Sequence, residues 1–457
     1  MSPQFDWQTD EEGEWEPIAT PGSDVDSTTP ISDWSLNPRL TLVFMFLVLG
    51  AVILLIRRQV LLAEAEVRAA VLAANTLAVE AAYAGDADLF RTLISGRDET
   101  WTDTQIVLAG QELALSNSAR LFGLEPRPGD VDLQIVAISP DLNEVEIEMI
   151  QRYQPAGPRA ANGPVTLSQT LIYRRGSVRW LLAPPEDKSA FWGSFQSLTG
   201  RYLTILYPER DAELVQRMAT DIEADLTTVC TRLPADCPDD WHIVLRLERN
   251  PASLLSMAGQ KYLMDIGPSV VMPTPSLVGR PVDETSYEHL YRAYATYIVS
   301  LTLTRVVEYE CCHHAAFYTA MLDWFMANEN LVQWPLAGYN YATTLHFPIS
   351  LDNLESLYQR SDFRFMTTYD RRMVHAFVEF MLVKAAGKGE LTPDLASFPA
   401  MIDRLALHNG FWGWVNSMSD YNSRDQELLI QDWLRFIDGR HAPNLLAEQR
   451  STPDIWH

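Results

Sequence analysis

Cys311-Cys312-His313-His314 places two kinds of metal-ligating side chain side by side. Thiolate sulfur and imidazole nitrogen are the donors Zn²⁺ takes, and a structural zinc site closes with four of them. Successive side chains on a helix diverge by about 100°, so only Cys311 and His314 would share a face. Two donors do not complete a site, and a helix–helix corner is the expected role. Cys230 and Cys237 bracket Thr231–Asp236 at a helix end. They are close enough for a local disulfide in an oxidising compartment, or for a reduced pair elsewhere. No Gly-x-Ser-x-Gly, P-loop, Gly-x-Gly-x-x-Gly or His-Glu-x-x-His occurs. His242, His289, His346, His375, His408, His441 and His457 are scattered, and structural or surface roles are expected for them. No cofactor is expected.

The elements that would position such residues begin after an acidic tail. The chain has 457 residues, enough for two or three domains, and 47% hydrophobic content with 13 Trp, 17 Tyr and 17 Phe supports packed cores. Its formal charge of −25 argues against a nucleic-acid partner, because phosphate binding rests on clustered Lys and Arg. Residues 1–38 hold nine Asp or Glu and no Lys or Arg, a composition that predicts a flexible tail.

Leu40–Ile56 (LTLVFMFLVLGAVILLI) is 17 residues without a charge. At roughly 1.5 Å per residue the run is about 26 Å long, near the lower limit for crossing the hydrocarbon core. Pro38 suits a helix start, and Arg57 and Arg58 can snorkel at the other end. A transmembrane helix over 39–58, with the lipid bilayer as partner, is therefore expected. Arg39 before the span against Arg57 and Arg58 after it would put the large part inside. The Cys230/Cys237 pair argues the other way.

Residues 60–96 predict a long helix continuing the span, broken at Gly85-Asp86, and a second helical stretch is expected near 103–122. A period of two follows. In Asn143–Met149, Val145, Ile147 and Met149 face one way and Glu144, Glu146 and Glu148 the other, as in a half-buried antiparallel strand. Tyr173–Trp180 (YRRGSVRW) predicts a hairpin around Gly176. Helices, then a sheet ending in strand, tight turn and Trp, resemble the nuclear-transport-factor-2-like cone fold over residues 59–196. Its members include enzymes and inert modules. His is absent from 60–196, so a spacer is expected there.

Arg201–Tyr207 and His242–Leu247 predict strands flanking an amphipathic helix with Leu214, Val215, Met218, Ile222, Leu226 and Val229 on one face. A helix is expected from Asp283 to about Tyr309, and others near 314–328, 370–386, 396–408 and 425–438. This order, closing in Gln431-Asp432-Trp433-Leu434-Arg435-Phe436-Ile437, resembles the gluzincin metallopeptidases called peptidase MA-like, over residues 197–440. The family's long helix carries Arg-His-Glu-x-Thr-His, where this chain has Arg292-Ala293-Tyr294-Ala295-Thr296-Tyr297. The resemblance places the family's third, acidic ligand at Asp323.

Two His four apart present nitrogens on one helix face, and the Glu activates the metal-bound water. Ala293 has no lone pair, and a phenol with an unperturbed pKa of about 10 makes Tyr294 a poor base and Tyr297 a poor ligand. The resemblance thus implies a zincin-like fold without zinc, in which Asp323 is a helix-surface or capping acid and Tyr294→Phe is nearly neutral unless its hydroxyl has a buried partner.

The reading is an α+β protein: acidic tail 1–38, membrane helix 39–58, cone-like domain 59–196, zincin-like domain 197–440 and C-terminal tail 441–457. It is expected to be anchored in the cell membrane, with residues 59–457 extracytoplasmic on the strength of the family resemblance and the Cys pair. The expected role is binding an unidentified protein or envelope ligand. An active hydrolase using Cys311, His314 and Asp323, and a signalling protein working through its acidic tail, are the alternatives.

Overall fold

The structure is a computed structural model, and it describes residues 38–155, 163–233, 237–257, 269–309, 314–329, 350–360, 366–387, 395–408 and 410–439. The tails 1–37 and 440–457, and Cys311, Cys312 and His313, lie outside the described residues. The protein is mixed α+β. It divides into two units, residues 1–62 and 63–457.

Helix α1 (Pro38–Tyr83) is 46 residues long, or about 69 Å. Its large apolar side chains from Phe44 to Ile56 are all exposed. It is the helix, among the described residues, that is long and apolar enough to cross a membrane. Leu40 and Ile56 both lie in it. From Val67 the pattern changes: Val67, Val71, Asn75, Ala78 and Ala82 are buried at spacings of three and four, so this part docks one face onto the second unit's own core. The helix ends at the expected break, where Gly85 adopts φ +67°.

Asp86 caps α2 (Ala87–Arg91), its side chain accepting from the Leu89 amide at 2.9 Å. Asp98 does the same for α3 (Glu99–Gly110) at Trp101. The helical stretch expected over 103–122 is two pieces: α3 stops at Gly110 and a 3₁₀ segment runs from Leu115 to Phe122. The first sheet follows, β1 (Leu124–Ile138), β2 (Glu144–Pro155), β3 (Val165–Arg175) and β4 (Trp180–Ala183), all antiparallel neighbours in that order. Val145, Ile147 and Met149 are fully buried while the intervening glutamates are not, as the alternation predicts. Gly176 closes the expected β3–β4 turn, its amide donating to the Arg179 carbonyl at 2.8 Å.

After α4 (Lys188–Trp192) comes a second sheet, ordered β5 (Phe195–Thr199), β6 (Leu203–Pro208), β7 (Ile243–Glu248) and β8 (Ser269–Pro273). β5 and β6 pair antiparallel, β6–β7 and β7–β8 parallel. The parallel pairs need crossovers. These are α5 (Ala212–Arg232), whose predicted apolar face is buried throughout, and α6 (Ala252–Met257). β5 and β8 carry too little alternation to have been foreseen. The short α7 (Pro275–Val278) leads into β9 (Arg280–Pro281), which returns to the first sheet and pairs with β3.

The rest is helical: α8 (Glu284–Val306), α9 (Ala315–Asn328), α10 (Leu351–Tyr358), α11 (Thr368–Gly387), α12 (Phe398–Leu407), α13 (Phe411–Met418) and α14 (Gln426–Gly439). α8 begins where Asp283 caps it, accepting from the Ser286 amide at 2.8 Å. α9 packs on α11, where Phe317 meets Phe377 edge-on at 6.5 Å; Phe317 also meets Trp414 of α13 at 5.2 Å, and Phe377 meets Trp433 of α14 at 4.9 Å. Each such side chain, fully buried, contributes about 1.5–3 kcal/mol.

Candidate functional site

Tyr294 and Tyr297 turn toward the 3₁₀ segment, Tyr294 reaching β8 as well, and Ala293 is buried on the same helix α8. Tyr294 is fully buried, stacks on Phe122 at 4.8 Å and donates its hydroxyl to the Pro273 carbonyl at 2.7 Å. Tyr297 meets the same Phe122 edge-on at 6.5 Å. Burial pushes the Tyr297 phenol up to about 12 and the Tyr294 phenol well above its ordinary range. Both are protonated at neutral pH, so neither can take a proton from water. Ala293 offers nothing to a metal.

Asp323 corrects the sequence expectation. It is neither a surface nor a capping acid but lies in the middle of α9, only 2% exposed. Its Oδ2 sits 2.7 Å from His375 Nε2 on α11. His375 Nδ1 is 2.7 Å from the Arg371 carbonyl, which can only accept, so Nδ1 carries a proton. The contact to Asp323 is then either imidazolium with carboxylate or imidazole with carboxylic acid, one proton shared between them. Glu379, one turn further along α11, is buried too. The signal in the sequence was the spacing of His375 and Glu379, four apart within an otherwise apolar stretch.

His314 adopts a left-handed conformation, φ 55°, immediately before α9. Its Nδ1 donates to the Tyr358 carbonyl at 2.7 Å and its ring stacks on Tyr358 at 3.9 Å. Its partner in the sequence argument, Cys311, lies outside the described residues. Among the described residues no three His, Cys, Asp or Glu side chains are placed to hold a metal ion. Cys230 and Cys237 form a disulfide with Cα atoms 5.0 Å apart, tying the end of α5 to the strand side of its loop.

The feature that composition did not reveal is a cavity of about 390 Å³ lined jointly by the region expected to be a spacer and by residues 210–277 after it. It opens where β3, paired with β2 on one edge, has no partner strand on the other. β4 pairs as far as Ile172↔Ala183, and β9 covers only Leu167 and Ser168. Pro184-Pro185 after β4 lack the N–H groups to continue the ladder. On the other side Gly279, φ +131°, turns the chain away, and a Cβ there would come within 2.7 Å of Leu167. Four consecutive residues, Gln169 to Ile172, line the cavity. Since neighbours on a strand point to opposite faces, the cavity meets the strand edge-on.

Asp211, fully buried, holds the floor in place. It accepts from Thr274 Oγ1 and Ser276 Oγ, both at 2.5 Å, and so ties the turn before α5 to α7. Its neighbour Arg210 thereby enters the cavity, donating to Thr170 Oγ1 at 2.8 Å, 3.6 Å from Glu146, with its guanidinium over the Phe191 ring. Burial pulls the Arg210 pKa down, against the upward pull of Glu146 and Asp211. Gln169, 4% exposed, donates Nε2 to the carbonyls of Leu277 and Val278 at 2.8 and 2.9 Å.

Comparison of the chain with family models, with curated proteins and with solved structures finds no match.

Proposed function

We propose that this chain is a single-pass membrane protein that binds rather than cleaves. On this reading α1 anchors it in the cell membrane and the large unit lies outside the cytoplasm. α1–α3 over the first antiparallel sheet form a cone-like module, and the mixed sheet with α5 and α8 forms a zincin-like one. The observation that carries the reading is the state of Tyr294. The position at which the peptidase MA-like resemblance needs a water-activating Glu holds a buried phenol committed to the Pro273 carbonyl. The Cys230–Cys237 disulfide supports an oxidising compartment.

Two measurements test this. Metal analysis of the purified full chain should give well under one zinc per chain, and unfolded casein should remain intact. One tightly held zinc with chelator-sensitive cleavage would replace binding with hydrolysis. Protease added to intact cells should digest residues 59–457 and spare the acidic tail. Protection of the large part would reverse the topology.

A further inference from the structure

Two residues that line the cavity at the edge of β3 each carry a buried polar atom that the protein leaves unsatisfied. Gln169 Oε1 and Arg210 Nε are buried without a hydrogen-bond partner among the described residues. Buried polar groups are almost always paired, and each unpaired one costs about 1–3 kcal/mol. Here one is an acceptor and the other a donor, both on residues that line the same cavity.

The main chain adds a second such pair. Val282 donates to the Thr166 carbonyl, and the Thr166 amide donates to Ser286 Oγ, so Thr166 turns both groups to the outer edge of β3. The Arg175 amide points the opposite way, to Asn143 next to β2. Alternation along an unbroken register therefore turns the Thr170 N–H and C=O outward, into the gap between β4 and β9. One strand-edge amide is open, between terminators on both sides.

Charge selects the ligand further. Lys188, Arg210 and Arg249 line the cavity with Asp98 and Glu248. Asp98 is occupied by Lys188 at 2.7 Å and Glu248 by Arg246 at 3.1 Å. Arg210 is 3.6 Å from Glu146, which leaves Arg249 as the lining cation without an ion pair among the described residues. Arg249 lies over the Phe195 ring. The walls are apolar, with Trp101, Leu115, Trp192 and Leu254. The volume falls at the small end of ordinary ligand sites.

We propose that this cavity binds the carboxyl-terminal end of a short apolar peptide, whose last amide adds to the free edge of β3 at Thr170. The peptide N–H and C=O complete the Thr170 ladder. The terminal carboxylate faces Arg249 and accepts from Arg210 Nε, and a further peptide N–H donates to Gln169 Oε1. The apolar side chains fill the space beside Trp101 and Leu254. This rests on the reading of the chain as a binding protein and names what it binds.

The test is calorimetric titration of the full chain in nanodiscs with N-acetyl-Leu-Leu, and with the same peptide as its C-terminal amide. The acid should bind, and the amide about tenfold more weakly. Arg210→Lys keeps the charge but removes the planar Nε donor, and should weaken both peptides about tenfold. Arg249→Glu, at the rim, should abolish the preference for the acid while the amide binds as before. Circular dichroism and the intact Cys230–Cys237 disulfide report that each variant is folded. Equal binding by folded Arg210→Lys, equal binding of acid and amide by the unmutated chain, or no heat with either peptide would overturn the peptide site and leave the binding reading standing. Zinc-dependent cleavage of the probe would overturn the binding reading itself.

Discussion

The Tyr294 hydroxyl donates to the main-chain carbonyl of Pro273, the residue that ends β8, at 2.7 Å. That bond decides two things at once. It satisfies a carbonyl at the end of a buried parallel strand, and it fixes the tyrosine ring against Phe122. The expected near-neutrality of Tyr294→Phe therefore gives way to a cost. Leaving the carbonyl unpaired should destabilise by about 1–2 kcal/mol, with zinc content unchanged. Urea unfolding of both proteins measures it, and equal midpoints would show that the bond is dispensable.

Asp323 Oδ2 on α9 and His375 Nε2 on α11 lie 2.7 Å apart in the aromatic helical half. Asp323→Ala removes the carboxyl group that faces His375 Nε2 in the buried interface and should cost about 3 kcal/mol. Asp323→Asn keeps an acceptor in place and should cost less. Thermal unfolding ranks the three proteins. An alanine variant as stable as the parent would mean that His375 finds another partner at no cost.

The Cys230–Cys237 disulfide closes a loop with a sequence separation of 7. In the loop-entropy model, a loop this short constrains the unfolded chain by about 2–3 kcal/mol. Replacing both cysteines by serine should lower stability by that amount or less, and a non-reduced digest of native material should yield the two peptides joined. Free thiols at both positions would remove the link and weaken the extracytoplasmic assignment with it.

Asp432 on α14 lies among Tyr421, which donates to it, Lys384 at 3.1 Å and Arg435 at 2.9 Å. The Tyr421 hydrogen bond, then Lys384 and Arg435, hold its carboxyl below the usual carboxylate range. A group whose pKa is lower folded than unfolded contributes stability above the unfolded value of about 4, and that contribution disappears as pH falls through the folded value. Asp432→Asn should therefore unfold more easily than the parent at pH 7, with the gap closing in acid. A gap that persists unchanged at pH 3 would show that its origin is packing rather than charge.

Periodicity alone placed much of this protein. An uncharged apolar run can only be a helix that something covers, which marked Leu40–Ile56. Alternation marked the buried face of β2, because a strand turns every second side chain to the same side. The 3.6-residue spacing of Leu214 to Val229 marked the face of α5. Two cysteines seven apart need only local geometry to meet, and they do. What the chain order could not decide is which distant side chains converge. His375 carried only the general expectation of a structural or surface role, and the packing of α11 against α9 is what puts it on Asp323. Pro273 and Tyr294 meet because a strand end and a helix face are brought together from 21 residues apart. The open edge at Thr170 exists only because Pro184-Pro185 stop β4 on one side and Gly279 turns away from β3 on the other. Local pattern specifies which face of an element is apolar. The pairing of elements across the core specifies which polar groups are left over, and those are the groups available to a ligand.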